Sequence, residues 1–166
     1  MCPSRSSAIT ILILPALLLV LACSESVECG PSEAWVSRVI DGDTVQLSGG
    51  ELVRYLLVDT PEVRGTQSEC FAERAFDANR SLVEQRRVEL RYDDAACTDR
   101  FGRLLAHVSV AGREVNSLLV ERGYACVMHV PPGGDARVQE FRALETKARA
   151  SGLGLWGACA VSPCSN

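Results

Sequence analysis

The chain is short of several things, and each shortage narrows what it can be. Its longest apolar run, residues 8–22, is broken by Thr10 and Pro15 and falls short of the ~20 residues a bilayer-spanning helix needs. No Cys-x-x-Cys pair or Cys/His cluster occurs, and the two histidines, His107 and His129, stand apart, which leaves little from which to build a zinc site. A net charge of −4 offers no uniformly basic field to a polyanionic partner. Internal repeats are absent, and so are low-complexity segments beyond the N-terminal run. The 166 residues suffice for one domain with a real core and are too few for two.

What is present begins with Arg5 leading into that apolar run, the pattern of a signal peptide over residues 1–22, so export is expected. Val20-Leu21-Ala22-Cys23 resembles the box at which bacterial lipoproteins are cut and lipidated on cysteine. The resemblance implies membrane attachment through a lipid on Cys23 and residence in the bacterial cell envelope, in the periplasm or at the surface. Ordinary cleavage after Ala22-Cys23-Ser24 would instead release a secreted soluble protein. Setting aside Cys2 and Cys23 leaves Cys29, Cys70, Cys97, Cys126, Cys159 and Cys164. An even set in an exported chain is most simply three disulfides, with the connectivity open.

Residues 23–33 read as a polar tether containing Gly30 and Pro31, residues 34–158 as the folded domain, and 159–166 as a cysteine-containing tail. Apolar alternation predicts strands at 35–40, 44–47, 52–58, 88–92 and 104–110. Helices are predicted near 69–85, with Ala72, Ala75, Phe76, Asn79, Leu82 and Val83 on one face, and at 114–122 and 135–150. A polar loop is expected after Pro61. The fold class is therefore α+β, mainly β: a five-stranded Greek-key barrel of the OB type with about three helices. Barrels of that type often bind oligonucleotides on one face, but function has to be argued from the site.

Four short runs carry chemistry: Asp41-Gly42-Asp43-Thr44, Arg54, Asp59-Thr60-Pro61-Glu62 and Asp99-Arg100-Phe101-Gly102-Arg103. They supply carboxylates, a loop carbonyl and guanidiniums, which suit a hard metal ion and a phosphodiester undergoing hydrolysis. Asp43 and Asp59 fall at strand ends, where a barrel gathers its loops; two carboxylates meeting there repel unless protonated or bridged by a cation. Of the 17 basic residues only Lys147 is not arginine, the side chain best shaped for bidentate phosphate contacts. Singly, each piece is commonplace, since Asp-Gly-Asp is an ordinary turn and Thr-Pro-Glu an ordinary helix start. Arg54 poses a difficulty: five residues before Asp59, it should lie on the opposite face unless the strand is irregular between residues 55 and 58. His107, in an apolar strand, reads as a packed histidine, and Trp156 as a packing anchor.

Val39-Ile40-Asp41-Gly42-Asp43-Thr44-Val45, Arg54-Tyr55-Leu56-Leu57-Val58-Asp59-Thr60-Pro61-Glu62 and Asp99-Arg100-Phe101-Gly102-Arg103 closely resemble the thermonuclease (staphylococcal nuclease-like) family. Val115-Asn116, Gly123 and Gly154-Leu155-Trp156-Gly157 look like that family's later landmarks, so the likeness runs from about residue 35 to 157. It implies a calcium-dependent nuclease, endo or exo, that hydrolyses DNA or RNA with little sequence preference and leaves 3′-phosphates. Asp43, Asp59 and the Thr60 carbonyl would bind Ca2+, Glu62 would orient or deprotonate the attacking water, and Arg54 and Arg103 would clamp the phosphate. Nucleic acid is then the partner as substrate, no protein partner is implied, and a monomer is expected. Where the best-known member has tyrosines on the nucleotide, this chain has Phe101, His129 and Pro131. Arg100, Phe101 and His129 remain as substrate contacts, the last two by stacking. A disulfide between Cys70 and Cys97 would pin the arginine loop to the barrel. The alternative is a non-catalytic OB-type nucleic-acid-binding module, against which the complete set Arg54, Glu62 and Arg103 argues.

Overall fold

Alternating apolar side chains wind the start of the chain into three antiparallel strands, β1 (Glu33–Asp41), β2 (Thr44–Leu47) and β3 (Leu52–Tyr55). The computed structural model describes residues 29–65, 67–93 and 95–164; the expected signal peptide and the lipidation site Cys23 lie outside them. Two register shifts in β1, between Val36 and Arg38 and between Val39 and Asp41, bend it as bulges do. One strand thereby serves two neighbours, β2 along its length and β6 (Arg87–Tyr92) at its start. Strand β7 (Leu104–Val110) pairs with β6 and then closes on β3 in parallel, Val53 facing Leu104, Arg54 facing Leu105 and Tyr55 facing Ala106. The result is the expected closed five-stranded OB-type barrel, in the order β3-β2-β1-β6-β7, with the two-residue β8 (Arg113–Glu114) added beside β7.

Inside it Val36, Val45, Leu47, Val53, Tyr55, Val88 and Val108 are buried, joined by Phe141 from outside the barrel; each such aliphatic or aromatic side chain contributes about 1.5–3 kcal/mol. Three helices cover the barrel: α1 (Ala72–Val83), α2 (Val115–Glu121) and α3 (Val138–Ala150), followed by the single turn α4 (Leu155–Ala158). Among the described residues no helix is long and apolar enough to cross a membrane. Ala72, Ala75, Asn79 and Val83 form the buried stripe of α1, at the spacing an amphipathic helix needs. Asn79 is its polar member. It accepts a hydrogen bond from the Tyr55 hydroxyl (2.9 Å) and donates to the Asp41 carbonyl (3.0 Å), so the buried amide is satisfied and ties α1 to the β1–β2 turn.

Two departures from the expected elements bear on the site. The loop after Pro61 is a hairpin, β4 (Val63–Arg64) with β5 (Gln67–Ser68), so α1 starts at Ala72 rather than near 69. Glu69 closes that hairpin, its N–H donating to the Glu62 carbonyl (3.0 Å) and its carboxylate accepting from the Glu62 N–H (2.9 Å). Secondly, β3 stops at Tyr55 instead of running to 58, and Leu57 adopts φ 62°. The Leu56 carbonyl accepts from buried Asn116 Nδ2 (2.9 Å), which also donates to the Ala106 carbonyl, while Asn116 Oδ1 accepts from Val108 N–H. One amide thus satisfies the backbone where the strand breaks.

The six cysteines form Cys29–Cys97, Cys70–Cys159 and Cys126–Cys164, closing 68, 89 and 38 residues of sequence; loop-closure entropy puts each at about 4 kcal/mol. The expected Cys70–Cys97 bridge is not formed. Cys97 faces the N-terminal segment, which runs beside β6 with the Ser32 carbonyl accepting from Leu90 N–H and the Pro31 carbonyl from the Tyr92 hydroxyl. Cys70 instead meets the chain's C-terminal tail. The end of the expected tether is therefore fastened from Cys29 onward.

Candidate active site

The carboxylates are set by the turn between β1 and β2. A Cβ on Gly42 would come within 2.5 Å of Thr60 Oγ1, so only glycine lets this turn press against Thr60. Asp43, 3% exposed, accepts at Oδ2 from Thr60 N–H (2.8 Å) and Thr60 Oγ1 (3.1 Å), and at Oδ1 from the Thr44 hydroxyl (3.1 Å). Its own N–H donates to Asp41 Oδ1 (3.1 Å). Asp59 is held through its backbone, exchanging hydrogen bonds of 2.9 and 2.7 Å with Cys126.

Arg54 lies between these two acids. Nη1 reaches Asp43 Oδ2 at 2.6 Å and the Val58 carbonyl at 2.6 Å, and Nη2 reaches Asp59 Oδ1 at 3.0 Å. The strand irregularity its position required is the break after Tyr55: with Leu57 left-handed, the period of two no longer counts across residues 56–58. Burial pushes the Asp43 carboxyl up to about 7 against the opposing charge of Arg54, and it raises Asp59 against the same guanidinium. Asp41 adds repulsion to both. One guanidinium is too few for these acids, and the surplus is the kind a proton or a hard cation relieves. Carboxylate oxygens are the donors calcium and magnesium take, so this set fits such an ion.

The facing wall is the loop between β6 and β7. Asp99 Oδ1 accepts from the N–H groups of Phe101 (2.8 Å) and Arg103 (3.1 Å), and Oδ2 from Arg103 Nε (2.7 Å). Burial raises the Asp99 carboxyl, but these hydrogen bonds outweigh it and hold it below its ordinary value. Arg103 is thereby fixed through Nε, and its Nη groups have no hydrogen-bond partner among the described residues. Phe101, 68% exposed, lies under the guanidiniums of Arg100 (4.8 Å) and Arg103 (5.5 Å), a cation–π arrangement.

Asp43, Arg54, Asp59, Glu62, Arg100, Phe101 and Arg103 all line one cleft of about 650 Å³. Asp41 and Asp99 also line it, so five carboxylates face three guanidiniums. Thr60 stands behind Asp43 instead, 5% exposed. His129 is not among the lining residues. Met128 and Val130 on either side of it line the cleft, while the His129 ring meets Asp135 Oδ1 at 2.7 Å. The structure thus does not bring His129 to the cleft wall beside Phe101.

Two acids went unassigned in the sequence. Asp41 was visible as the other half of Asp-Gly-Asp. Asp93 carried no local signal: its Oδ2 accepts from Gly134 N–H (2.7 Å) and its Oδ1 from Ala95 N–H (3.0 Å), joining the loops that form two of the cleft's walls. Among the described residues a zinc site gains no support. Ligand atoms of Cys126, Glu145 and Cys164 lie within 4.8 Å of one another, but the two sulfurs share a disulfide and have no thiolate to give.

The family model described as staphylococcal nuclease homologue matches residues 52–158. Endonuclease YncB of Bacillus subtilis (strain 168) is 36% identical over 126 residues, 73% of this chain and 60% of its own length. SPbeta prophage-derived endonuclease YokF of the same organism is 33% identical over 126 residues, 73% of this chain and 43% of its own. A thermonuclease of Staphylococcus intermedius is 32% identical over 126 residues, 73% of this chain and 74% of its own. The matched region thus spans about half the length of the two Bacillus proteins and most of the staphylococcal one.

Proposed function

The chain belongs to the family of staphylococcal nuclease homologues, and on that premise we propose that it hydrolyses the phosphodiester bonds of DNA or RNA with the help of a calcium ion. The observation that carries this reading is Arg54, held between Asp43 and Asp59 in the same cleft as Glu62 and Arg103. Asp43, Asp59 and the Thr60 carbonyl would hold the ion. Lewis acidity toward a phosphoryl oxygen is what such an ion supplies when bound.

The rest is the work of the chain's own side chains. Glu62, with its backbone N–H fixed by Glu69, accepts the proton of the attacking water, a role worth about 10²–10⁴-fold in rate. The Nη groups of Arg103 meet the phosphate as its charge grows, and Asp99 keeps them aimed without occupying them. Arg54 shares its charge between the carboxylates and the same phosphate. Phe101, exposed at the lip, offers a ring to a base.

Cleavage within the strand, 3′-phosphate products and action as a monomer follow the family. The N-terminal apolar run and the six cysteines support an exported protein, attached to the cell envelope through Cys23 or released in soluble form. Detergent phase partitioning of the native protein beside Cys23→Ala distinguishes the two.

The activity is tested by digestion of single-stranded DNA with calcium, with a chelator, and with Glu62→Ala. Cleavage only in the first is expected, and equal cleavage in all three would end the proposal. DNA binding without cleavage in every arm would identify a binding module instead.

A further inference from the structure

Each disulfide joins a segment next to the cleft to a segment that flanks the described fold. Cys29 precedes the first strand, and Cys159 and Cys164 follow the last helix; their partners Cys97, Cys70 and Cys126 do not line the cleft but adjoin or bond residues that serve it. Each of these three partners bears on a different member of the site. Cys126 exchanges both backbone hydrogen bonds with Asp59, at 2.9 and 2.7 Å. Cys97 accepts from Leu105 N–H (2.9 Å), Leu105 being the residue paired with Arg54, and it opens the loop in which Asp99 holds Arg103. Cys70 follows Glu69, whose carboxylate and N–H grip the backbone of Glu62.

None of these segments is part of the barrel's own ladder. Asp59 and Cys126 form an isolated bridge, the hairpin that follows Glu62 is a separate two-stranded sheet, and Cys97 lies in the connection between β6 and β7. A lone two-stranded hairpin is marginal in water, which applies to the one after Glu62; beside Asp59 and Cys126 the flanking Val58 and Ala125 are buried in the core, but the two segments meet there through a single isolated bridge. The three disulfides add a covalent hold to each of the three segments.

We propose that the three disulfides are positioning elements of the cleft: the Cys126 bridge for Asp59, the Cys97 bridge for the Arg103 loop and the Cys70 bridge for Glu62. Hydrolysis then requires oxidised cysteines. This rests on the nuclease reading above. A small dithiol switches the site off by passing two electrons and two protons to each bridge, leaving two protein thiols and a disulfide in the reductant. A copy of the chain still in a reducing compartment would carry the whole residue set and cut little.

The test separates positioning from plain stabilisation. If the bridges only stabilise, removing them lowers Tm in the order of the loops they close, 89, 68 and 38 residues, and any activity loss follows that order in every kinetic parameter. Positioning gives each bridge its own signature at a temperature where circular dichroism stays native. Cys126→Ala with Cys164→Ala raises the calcium half-saturation about tenfold, the usual scale for losing a metal ligand's support, with kcat at saturating calcium kept. Cys29→Ala with Cys97→Ala lowers kcat, because Arg103 acts on the growing charge, and raises KM for DNA through Phe101 of the same loop, whereas Cys70→Ala with Cys159→Ala lowers kcat alone, each by about tenfold on the same scale and with calcium half-saturation kept.

Amide hydrogen exchange at Asp59, Leu105 and Glu62 in the same variants reads the geometry without any catalysis. Faster exchange at the one amide beside each removed bridge supports the proposal; unchanged protection at all three overturns it. Oxidised protein that fails to cleave DNA sinks the nuclease reading, and the exchange result still decides this one. Should a double variant not fold, partial reduction of the native protein by a dithiol, with the opened bridge identified by alkylation and mass spectrometry, takes its place.

Discussion

Two of the places where the molecule buries charge treat a carboxylate in opposite ways. In the cleft, burial pushes Asp43 up to about 7 because Arg54 must serve Asp59 as well. Where β7, β8 and α3 meet, Glu114 is also partly buried, but His107 Nδ1 (3.0 Å) and both Nη groups of Arg137 converge on it. There burial raises the carboxyl and the hydrogen bonds outweigh it, leaving Glu114 at about 2. Arg137 is spread over Glu140 (2.7 Å) and the Phe141 ring (5.2 Å), and its own proton is held more tightly. Matched partners make a scaffold; too few partners leave an appetite for a cation.

The largest effect that could break this contrast is on rate. Glu62→Gln should cut DNA hydrolysis by about 10²–10⁴-fold while the urea midpoint stays where it was. Glu114→Ala should do the reverse, keeping activity and lowering stability by about 2 kcal/mol. That figure is discounted from the 3–5 typical of a broken buried pair because the Arg137 side chain is 28% exposed. Activity lost from Glu114→Ala without a change in the melt would move that cluster into the catalytic apparatus.

Titration should separate the two clusters by sign. Asp43 has a raised value, so its contribution to stability is full below its ordinary 3.8 and is lost as pH rises through about 7. Glu114 has a depressed one, so its contribution is full above its ordinary 4.5 and is lost as pH falls through about 2. With a chelator present, Tm plotted against pH should flatten on its neutral side in Asp43→Asn and on its acid side in Glu114→Gln. Calcium should bind the wild type more tightly as pH rises toward about 7, because the ion displaces a proton from Asp43. Identical titration curves for all three proteins would remove the distinction.

The smallest change belongs to the cleft's lip. Phe101→Ala should raise KM for single-stranded DNA by roughly fivefold, about 1 kcal/mol of stacking, with no change in Tm. His129→Ala, at a residue that meets Asp135 instead of lining the cleft, should change neither constant, and a KM effect equal to that of Phe101→Ala would put its ring back at the substrate.

Local pattern made most of the fold legible. The alternation along β1, β2, β6 and β7 and the stripe of α1 follow from which side chains must leave water, and those elements lie close to where periodicity puts them. The joint spacing of Asp43, Asp59, Glu62 and Arg103 likewise marked the residues that share the cleft. What escaped depends on distant partners. The break after Tyr55 was required by the spacing of Arg54 and Asp59, but its cause was hidden, because Asn116, far along the chain, takes the Leu56 carbonyl. The hairpin over 63–68 needs Glu69 to close it, and the disulfide partners were set by where the two chain ends travel. Direction was also hidden: His129 lies between two lining residues but meets Asp135 instead of lining the cleft.

The parallel pairing of β3 with β7 carries one more consequence, in time rather than space. Arg54 meets Leu105, and Asp59 meets Cys126, so the proposed site is made of contacts between halves of the chain that emerge from synthesis far apart. Barrels dominated by such non-local pairings fold slowly, on the order of milliseconds to seconds, and these contacts form only after the later half is available. A growing chain therefore holds every one of these side chains for some while before it holds a site.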